Sequence, residues 1–282
     1  MSVYEKVIFI IRVDNLENLI NDLSGFLKVN KIKLCTKILE MYNECNKEEY
    51  CFDDIKFFEL ASDYISKNNN DEIKEIYLCH LIRSIECPKE LHPLHKVLTT
   101  KNALSDLLIR NGFSFKFLNN KIVLTYNGKE YSEEELGTPI EEKNYYGHLA
   151  VRFGYDSEPD YCINGFMLGL NPEHSTGGYY NQLRRGPEIL HDIDRFFDTN
   201  LSYDFYKQST YYFALIKVSL EHIIFDENED KKISSERTKL FLSYCFQAIY
   251  NIVFVDNNIG VSNPIIRLTD VESAMVESYI RI

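Results

Sequence analysis

Apolar residues recur along this chain with two different periods. YEKVIFIIR (4–12) is β-branched and reads as a strand. NLENLINDLSGFL (15–27), KIKLCTKILEMYNEC (31–45), FDDIKFFELASDYIS (52–66) and DEIKEIYLCHLIRSI (71–85) each repeat apolar positions at i, i+3, i+4 and i+7. That spacing predicts four amphipathic helices. Asp53 and Asp71 sit near the predicted helix starts, where a carboxylate suits the dipole. TTKNALSDLLIRNG (99–112) predicts a fifth helix, with Thr100 as candidate N-cap and Gly112 as stop.

The period then changes to two. FSFKFLNNKIVLTYNGKEY (113–131) alternates, turns at Asn119-Asn120, alternates again and turns at Asn127-Gly128. Both pairs are hairpin-turn chemistry, so a small β-meander is predicted. The acidic, irregular SEEELGTPIEEKN (132–144) is the best candidate boundary in the chain. Beyond it, HLAVRFGY (148–155), YCINGFMLGL (161–170) and TYYFALIKVSL (210–220) read as strands. ILHDIDRFFD (189–198) reads as a short helix or strand, and SSERTKLFLSYCFQAIYNIVFV (234–255) as a buried helix. The expected fold class is α+β. Two regions are expected: a mostly helical one over 1–131 that ends in the meander, and one over 145–282 with a mixed, mainly antiparallel sheet and a buried helix.

Composition narrows the function classes. The chain has 282 residues and is 45% hydrophobic, enough for a real core. Its net charge is −12, and no Lys/Arg run exceeds the pairs in LRRG (183–186) and KK (231–232). General nucleic-acid binding is therefore disfavoured. The N-terminal apolar run is too short, and wrongly flanked, for a signal peptide or a membrane span. A cytoplasmic protein, or one exported without a cleaved signal, is expected. The seven cysteines include no Cys-x-x-Cys pair, so no zinc or redox motif is present and reduced thiols are expected.

Four stretches carry candidate chemistry. NPEHSTGGYYNQLRRGPE (171–188) is long, polar and glycine-rich, but holds no phosphate-binding motif. His92 and His95 have metal-like spacing without a third ligand near them in sequence, which favours a loop or capping role. Cys79 and His80 are adjacent on the helix expected over 71–85, so their side chains diverge. The fourth stretch runs from GHLAVRF through INGFMLGLNP and GPEILHDIDRF to a cysteine on a hydrophobic helix. It resembles the permuted branch of the papain-like cysteine enzymes, which includes lecithin-retinol acyltransferase-like proteins and bacterial effectors.

That resemblance covers residues 147–260. It implies His148 as general base, Cys245 as nucleophile and Asp192 or Asp194 as the carboxylate that orients the imidazole. The implied activity is hydrolysis or acyl transfer on an amide, ester or thioester, with a protein or acyl-bearing substrate and no metal or organic cofactor. An imidazole and a helix N-terminus would both favour a thiolate. The nucleophile here stands in SYCFQ, where the family often has Asn-Cys, and Ser243 could cap a fresh helix start just before it. The structural alternative makes Cys245 a core residue and His148 a strand-edge histidine with a hydrogen bond.

Two other readings use the same loops. LAVRFGY, HSTGG and DENED resemble the arginine, Ser-Thr-Ser and Glu-x-Glu elements of ADP-ribosyltransferases. Arg152 would then hold NAD phosphate, Ser175 and Thr176 would support the nicotinamide pocket, and Glu227 and Glu229 would be catalytic. Finally, a non-catalytic interaction module would present Tyr179, Tyr180 and an acidic face to a partner.

Overall fold

The computed structural model describes residues 10–12, 15–48, 51–137, 148–155, 161–166, 185–225, 234–254, 265–268 and 273–281. The protein is α+β, with the N-terminal helices preceding the larger part of the sheet. The chain divides into two compact units, each assembled from three stretches: Met1–Cys79, Asn164–Ser175 and Leu215–Arg267 in the first, and His80–Ile163, Thr176–Ala214 and Leu268–Ile282 in the second.

The first unit opens with β1 (Ile10–Ile11), α1 (Leu16–Leu27) and α2 (Lys31–Cys45). The strands β2 (Asn46–Glu48) and β3 (Cys51–Phe52) pair with each other, and α3 (Asp54–Asn68) follows. Local chemistry starts each helix. The side chains of Asn15, Asn30 and Asp53 accept the N–H groups of Asn18, Lys33 and Lys56 at 2.8, 2.8 and 3.0 Å. These are N-cap bonds that satisfy donors the helix itself leaves open. The apolar stripes then bury Leu23, Phe26, Ile38, Phe57 and Ala61 completely.

Residues 71–85 differ from expectation. They form no helix; Glu75–Ser84 is a ten-residue strand, β4. Ile76, Leu78 and Cys79 are all fully buried, so the strand is covered on both faces. Such a strand has no clean alternation, and its apolar run also satisfies helical spacing. Asp71 consequently starts no helix: its N–H donates to the Asn69 side chain at 2.9 Å. Cys79 and His80 instead point to opposite faces of a strand.

The rest of the first unit adds β9 (Ile163–Phe166), the second half of β10 (Thr210–Ser219), β11 (Ile223–Phe225) and β12 (Ile265–Leu268). The strand order is β11-β12-β9-β4-β10, with β1 parallel to β4 at Ile10↔Glu75 and β9 antiparallel to it at Cys79↔Phe166. A 21-residue helix from Ser234 to Phe254 packs on α1, α2 and α3.

In the second unit, β13 (Ala274–Arg281) lies next to β10 and pairs with β5 (Glu90–Leu91), antiparallel at Ala274↔Leu91. Then come α4 (Leu94–Thr99) and α5 (Ala103–Arg110). The N-cap of α5 is Asn102, in a capping box with Ser105; Thr100 lies in the link between the two helices. The meander follows as expected: β6 (Phe113–Leu118), β7 (Lys121–Tyr126) and β8 (Lys129–Glu130). Asn119, Asn120, Asn127 and Gly128 all have positive φ, as two-residue hairpin turns require. A Ser132–Glu135 capping box opens α6 (Glu133–Gly137).

Candidate functional site

His148 opens a helix. Residues 148–155 were expected to be a strand, but His148–Arg152 is a single helical turn, α7. Its apolar positions, Leu149 and the following Phe153, are fully buried. They join a core cluster with Ile189, Leu190 and Ile193 of α8 (Glu188–Phe197). The helix geometry follows from what lies next. Gly154 has φ +79°, and a Cβ there would stand 2.8 Å from the Asn120 carbonyl and 2.7 Å from the Tyr161 ring. The turn also sends the Phe153 carbonyl to the Ile122 N–H at 2.8 Å, which anchors α7 to the meander.

Each of the two helices places a pair of charged or polar side chains four residues apart. His148 and Arg152 share one face of α7, and Glu188 and Asp192 share one face of α8. With the apolar faces packed together, these pairs meet. Arg152 Nε donates to Asp192 Oδ2 at 2.5 Å, and Arg152 NH2 donates to Glu188 Oε2 at 3.0 Å. His148 Nδ1 stands 3.6 Å from Asp192 Oδ1, an ion-pair distance. The Asp192 side chain is 4% exposed and that of His148 is 44% exposed. A buried carboxylate thus faces a solvent-reachable imidazole, and its charge is balanced from the other side by a guanidinium. At 3.6 Å the contact is an ion pair when the imidazole is protonated, and it lies beyond hydrogen-bond reach.

Asp194 belongs elsewhere. It is two positions from Asp192, about 200° round the helix. Its oxygens accept the Thr199 hydroxyl at 2.6 Å and the N–H groups of Leu201 and Ser202 at 2.7 and 2.9 Å. These bonds cap α9 (Leu201–Gln208) from outside the helix. Of the two aspartates considered for orienting His148, the structure brings Asp192 to it and commits Asp194 to the α8–α9 corner.

His191, between them, has Nε2 buried without a hydrogen-bond partner. Burial pushes its pKa down, against opposing pulls from Asp194, Asp192 and Glu188. Its Nε2 lies beside Gly186.

Cys245 lies in the first unit, on α10 (Ser234–Phe254), while His148 and Asp192 lie in the second. Cys245 lies within the single buried helix read over 234–255, and the alternative of a fresh helix start at Ser243 is not what forms. The helix runs unbroken past it, and Ser243 caps nothing: its hydroxyl donates back to the Lys239 carbonyl at 2.8 Å. Cys245 is fully buried, as are Phe241, Leu242, Phe246 and Ile249 around it in sequence. Desolvation pushes its thiol far above the ordinary range. A protonated thiol shielded from water behaves as a small hydrophobe, not as a nucleophile.

Arg152 is also the arginine of the ADP-ribosyltransferase reading. Its guanidinium is 15% exposed and spans Asp192 and Glu188, which matches a structural bridge better than a phosphate ligand. Ser175, Thr176, Glu227 and Glu229 of that reading lie outside the described residues, as do Tyr179, Tyr180 and most of the 171–188 loop. His92 Nε2 stands 3.6 Å from Glu90, and His95 stacks on Phe117 with ring centroids 4.2 Å apart. Among the described residues no group of three or more His, Cys, Asp or Glu side chains could hold a metal ion.

Glu188 is the residue that reading the sequence overlooked. It stands in the quoted GPEILHDIDRF stretch, and its i, i+4 relation to Asp192 was the available signal.

No protein-family model, no curated protein and no solved structure matches this chain. Among the described residues, no helix is long and apolar enough to cross a membrane.

Proposed function

We propose that the chain hydrolyses an acyl bond (an ester, thioester or amide) with His148 as general base and Asp192 as the group that orients it. The observation that carries this reading is the 3.6 Å approach of His148 Nδ1 to the buried Asp192 carboxylate. Water is the nucleophile, since Cys245 has the setting of a core residue. His148 Nε2 takes a proton from water as the water oxygen attacks the acyl carbon. Asp192 stabilises the imidazolium that forms. The C–O, C–S or C–N bond then breaks, and the imidazolium returns its proton to the departing alcohol, thiol or amine. General-base assistance of this kind contributes roughly 10²–10⁴-fold.

The test is turnover of p-nitrophenyl acetate, an acetyl thioester and an N-acyl anilide by the full chain, beside His148→Ala and Asp192→Asn. The expected result is hydrolysis of at least one substrate above buffer, lost in His148→Ala and reduced in Asp192→Asn. Equal turnover by the native protein and His148→Ala, or none from the native protein, ends the proposal.

A further inference from the structure

Within the first unit, Tyr42 of α2 is stacked on two rings. Tyr250 of α10 lies against it with ring centroids 3.2 Å apart and planes 11° from parallel. Phe52 of β3 stacks on it at 4.2 Å and 23°. Two rings this close cannot share one face, so Phe52 covers the face that Tyr250 leaves. Tyr250 in turn meets Phe254, one helical turn further along α10, at 5.7 Å. Aromatic pairs ordinarily sit offset or edge-on with centroids about 4.5–7 Å apart. The two tyrosines instead touch face to face.

We propose that Tyr42 and Tyr250 form an oxidative cross-linking site, where a peroxide-derived one-electron oxidant joins the two rings as dityrosine and ties α2 covalently to α10. Each phenol gives up one electron and its hydroxyl proton, leaving two phenoxyl radicals with spin on the carbons beside the hydroxyl. A bond forms from a Cε of Tyr42 to a Cε of Tyr250. The hydrogens displaced there pass through solvent to the two oxygens as the rings regain aromaticity. The pair has then lost two electrons and two protons, and with hydrogen peroxide these appear as two molecules of water.

Four features carry this. The chain has no tryptophan, so its phenols are the most readily oxidised rings it owns. The stack reaches the surface: Tyr42 and Tyr250 are half-buried and Phe254 is 39% exposed, so an oxidant can draw an electron from it. Asp54, at the start of α3, lies close enough to Tyr42 to help push its phenol pKa up, after burial and Tyr250, and is a carboxylate at hand for the departing proton. Phe52 and Phe254 flank the pair with rings that form no phenoxyl radical, which directs each tyrosyl radical to the other.

The experiment irradiates the full chain with tris(bipyridyl)ruthenium and persulfate, a one-electron photo-oxidant. Monomer is isolated under denaturing conditions, digested and mapped by mass spectrometry. The expected product joins the peptides of Tyr42 and Tyr250 and weighs two hydrogens less than their sum. Tyr42→Phe and Tyr250→Phe keep the stack but should each reduce this product, and the dityrosine fluorescence of the monomer, to background. Tyr203→Phe, which removes an exposed phenol, should leave both unchanged. Unfolding in urea before irradiation should abolish the product. The cross-linked monomer should melt at a higher temperature than untreated protein, because the new bond closes a long loop in the unfolded chain.

Three results overturn the proposal. One is the absence of the Tyr42–Tyr250 product at a dose that couples exposed tyrosines between molecules. Another is an equal yield from the urea-unfolded chain. The third is a cross-link that runs from Tyr42 to Cys45, the thiol one helical turn along α2, in place of Tyr250.

Discussion

Arg152 Nε meets Asp192 Oδ2 at 2.5 Å, and both side chains are withdrawn from water, at 15% and 4% exposure. The pair joins the turn α7 to the helix α8 and sets the face on which His148 stands. A buried pair of this kind adds little net stability against an apolar replacement, but removing one partner strands the other's charge.

Arg152→Ala is therefore expected to destabilise the protein by about 3–5 kcal/mol, because the buried Asp192 carboxylate keeps only the His148 imidazole, 3.6 Å away, as a partner. Arg152→Met combined with Asp192→Leu should recover most of that loss. Urea unfolding followed by circular dichroism measures both. A loss below about 1 kcal/mol for the single variant would match an exposed pair and contradict the burial seen here.

Asp194→Ala should separate structure from chemistry. It removes the acceptor for two N–H groups and one hydroxyl at the start of α9, so a loss of about 1–2 kcal/mol is expected. Acyl hydrolysis should stay as in the native protein at temperatures where the variant is folded. A variant as stable as the native protein would contradict the cap.

Cys245 should resist alkylation. Iodoacetamide on the native protein should leave it unmodified and reach it only after unfolding, because the side chain is fully buried and its thiol pKa is pushed up. Cys245→Ala should leave acyl hydrolysis intact where the protein remains folded. Peptide mapping of labelled protein decides this. Rapid labelling below pH 7 that disappears in His148→Ala would restore the cysteine as nucleophile.

His191 gives stability a pH dependence. Its pKa is lowered by burial in the folded state, while the unfolded chain titrates near the ordinary value of about 6.5. As pH falls through that value, the unfolded state takes up a proton that the folded state does not. Stability is therefore complete above about pH 6.5 and declines below it, until the lowered folded-state pKa is passed. His191→Leu should flatten this limb of a plot of unfolding free energy against pH. An equal slope between pH 6.5 and 5 in both proteins would mean His191 does not contribute.

Gly154→Ala should be costly. The positive φ and the approach to the Asn120 carbonyl and the Tyr161 ring leave no room for a methyl group. A loss of about 1–3 kcal/mol is expected, from strain alone or with displacement of the turn. Thermal melts compare the two proteins directly, and an unchanged melting temperature would show that the turn can shift at no cost.

Short-range patterns settled much of this molecule in advance. The helices over 15–27 and 31–45, the meander with its Asn-Asn and Asn-Gly turns, and the long buried helix at 234–254 all rest on information a few residues wide: caps, periods and turn chemistry. The α+β class follows from them. Tertiary structure decided the rest wherever one pattern suited two environments. Residues 75–84 read as a helix because a strand buried on both faces loses its alternation. The stretch at 148 read as a strand because its alternating apolar residues could not reveal that Leu149 and Phe153 pack on Ile189, Leu190 and Ile193. The site divided in the same way. His148, Asp192 and Asp194 were visible as chemistry-bearing residues. Which aspartate faces the histidine, what Glu188 does and how deeply Cys245 lies depend on helix rotation and packing, which no local pattern contains.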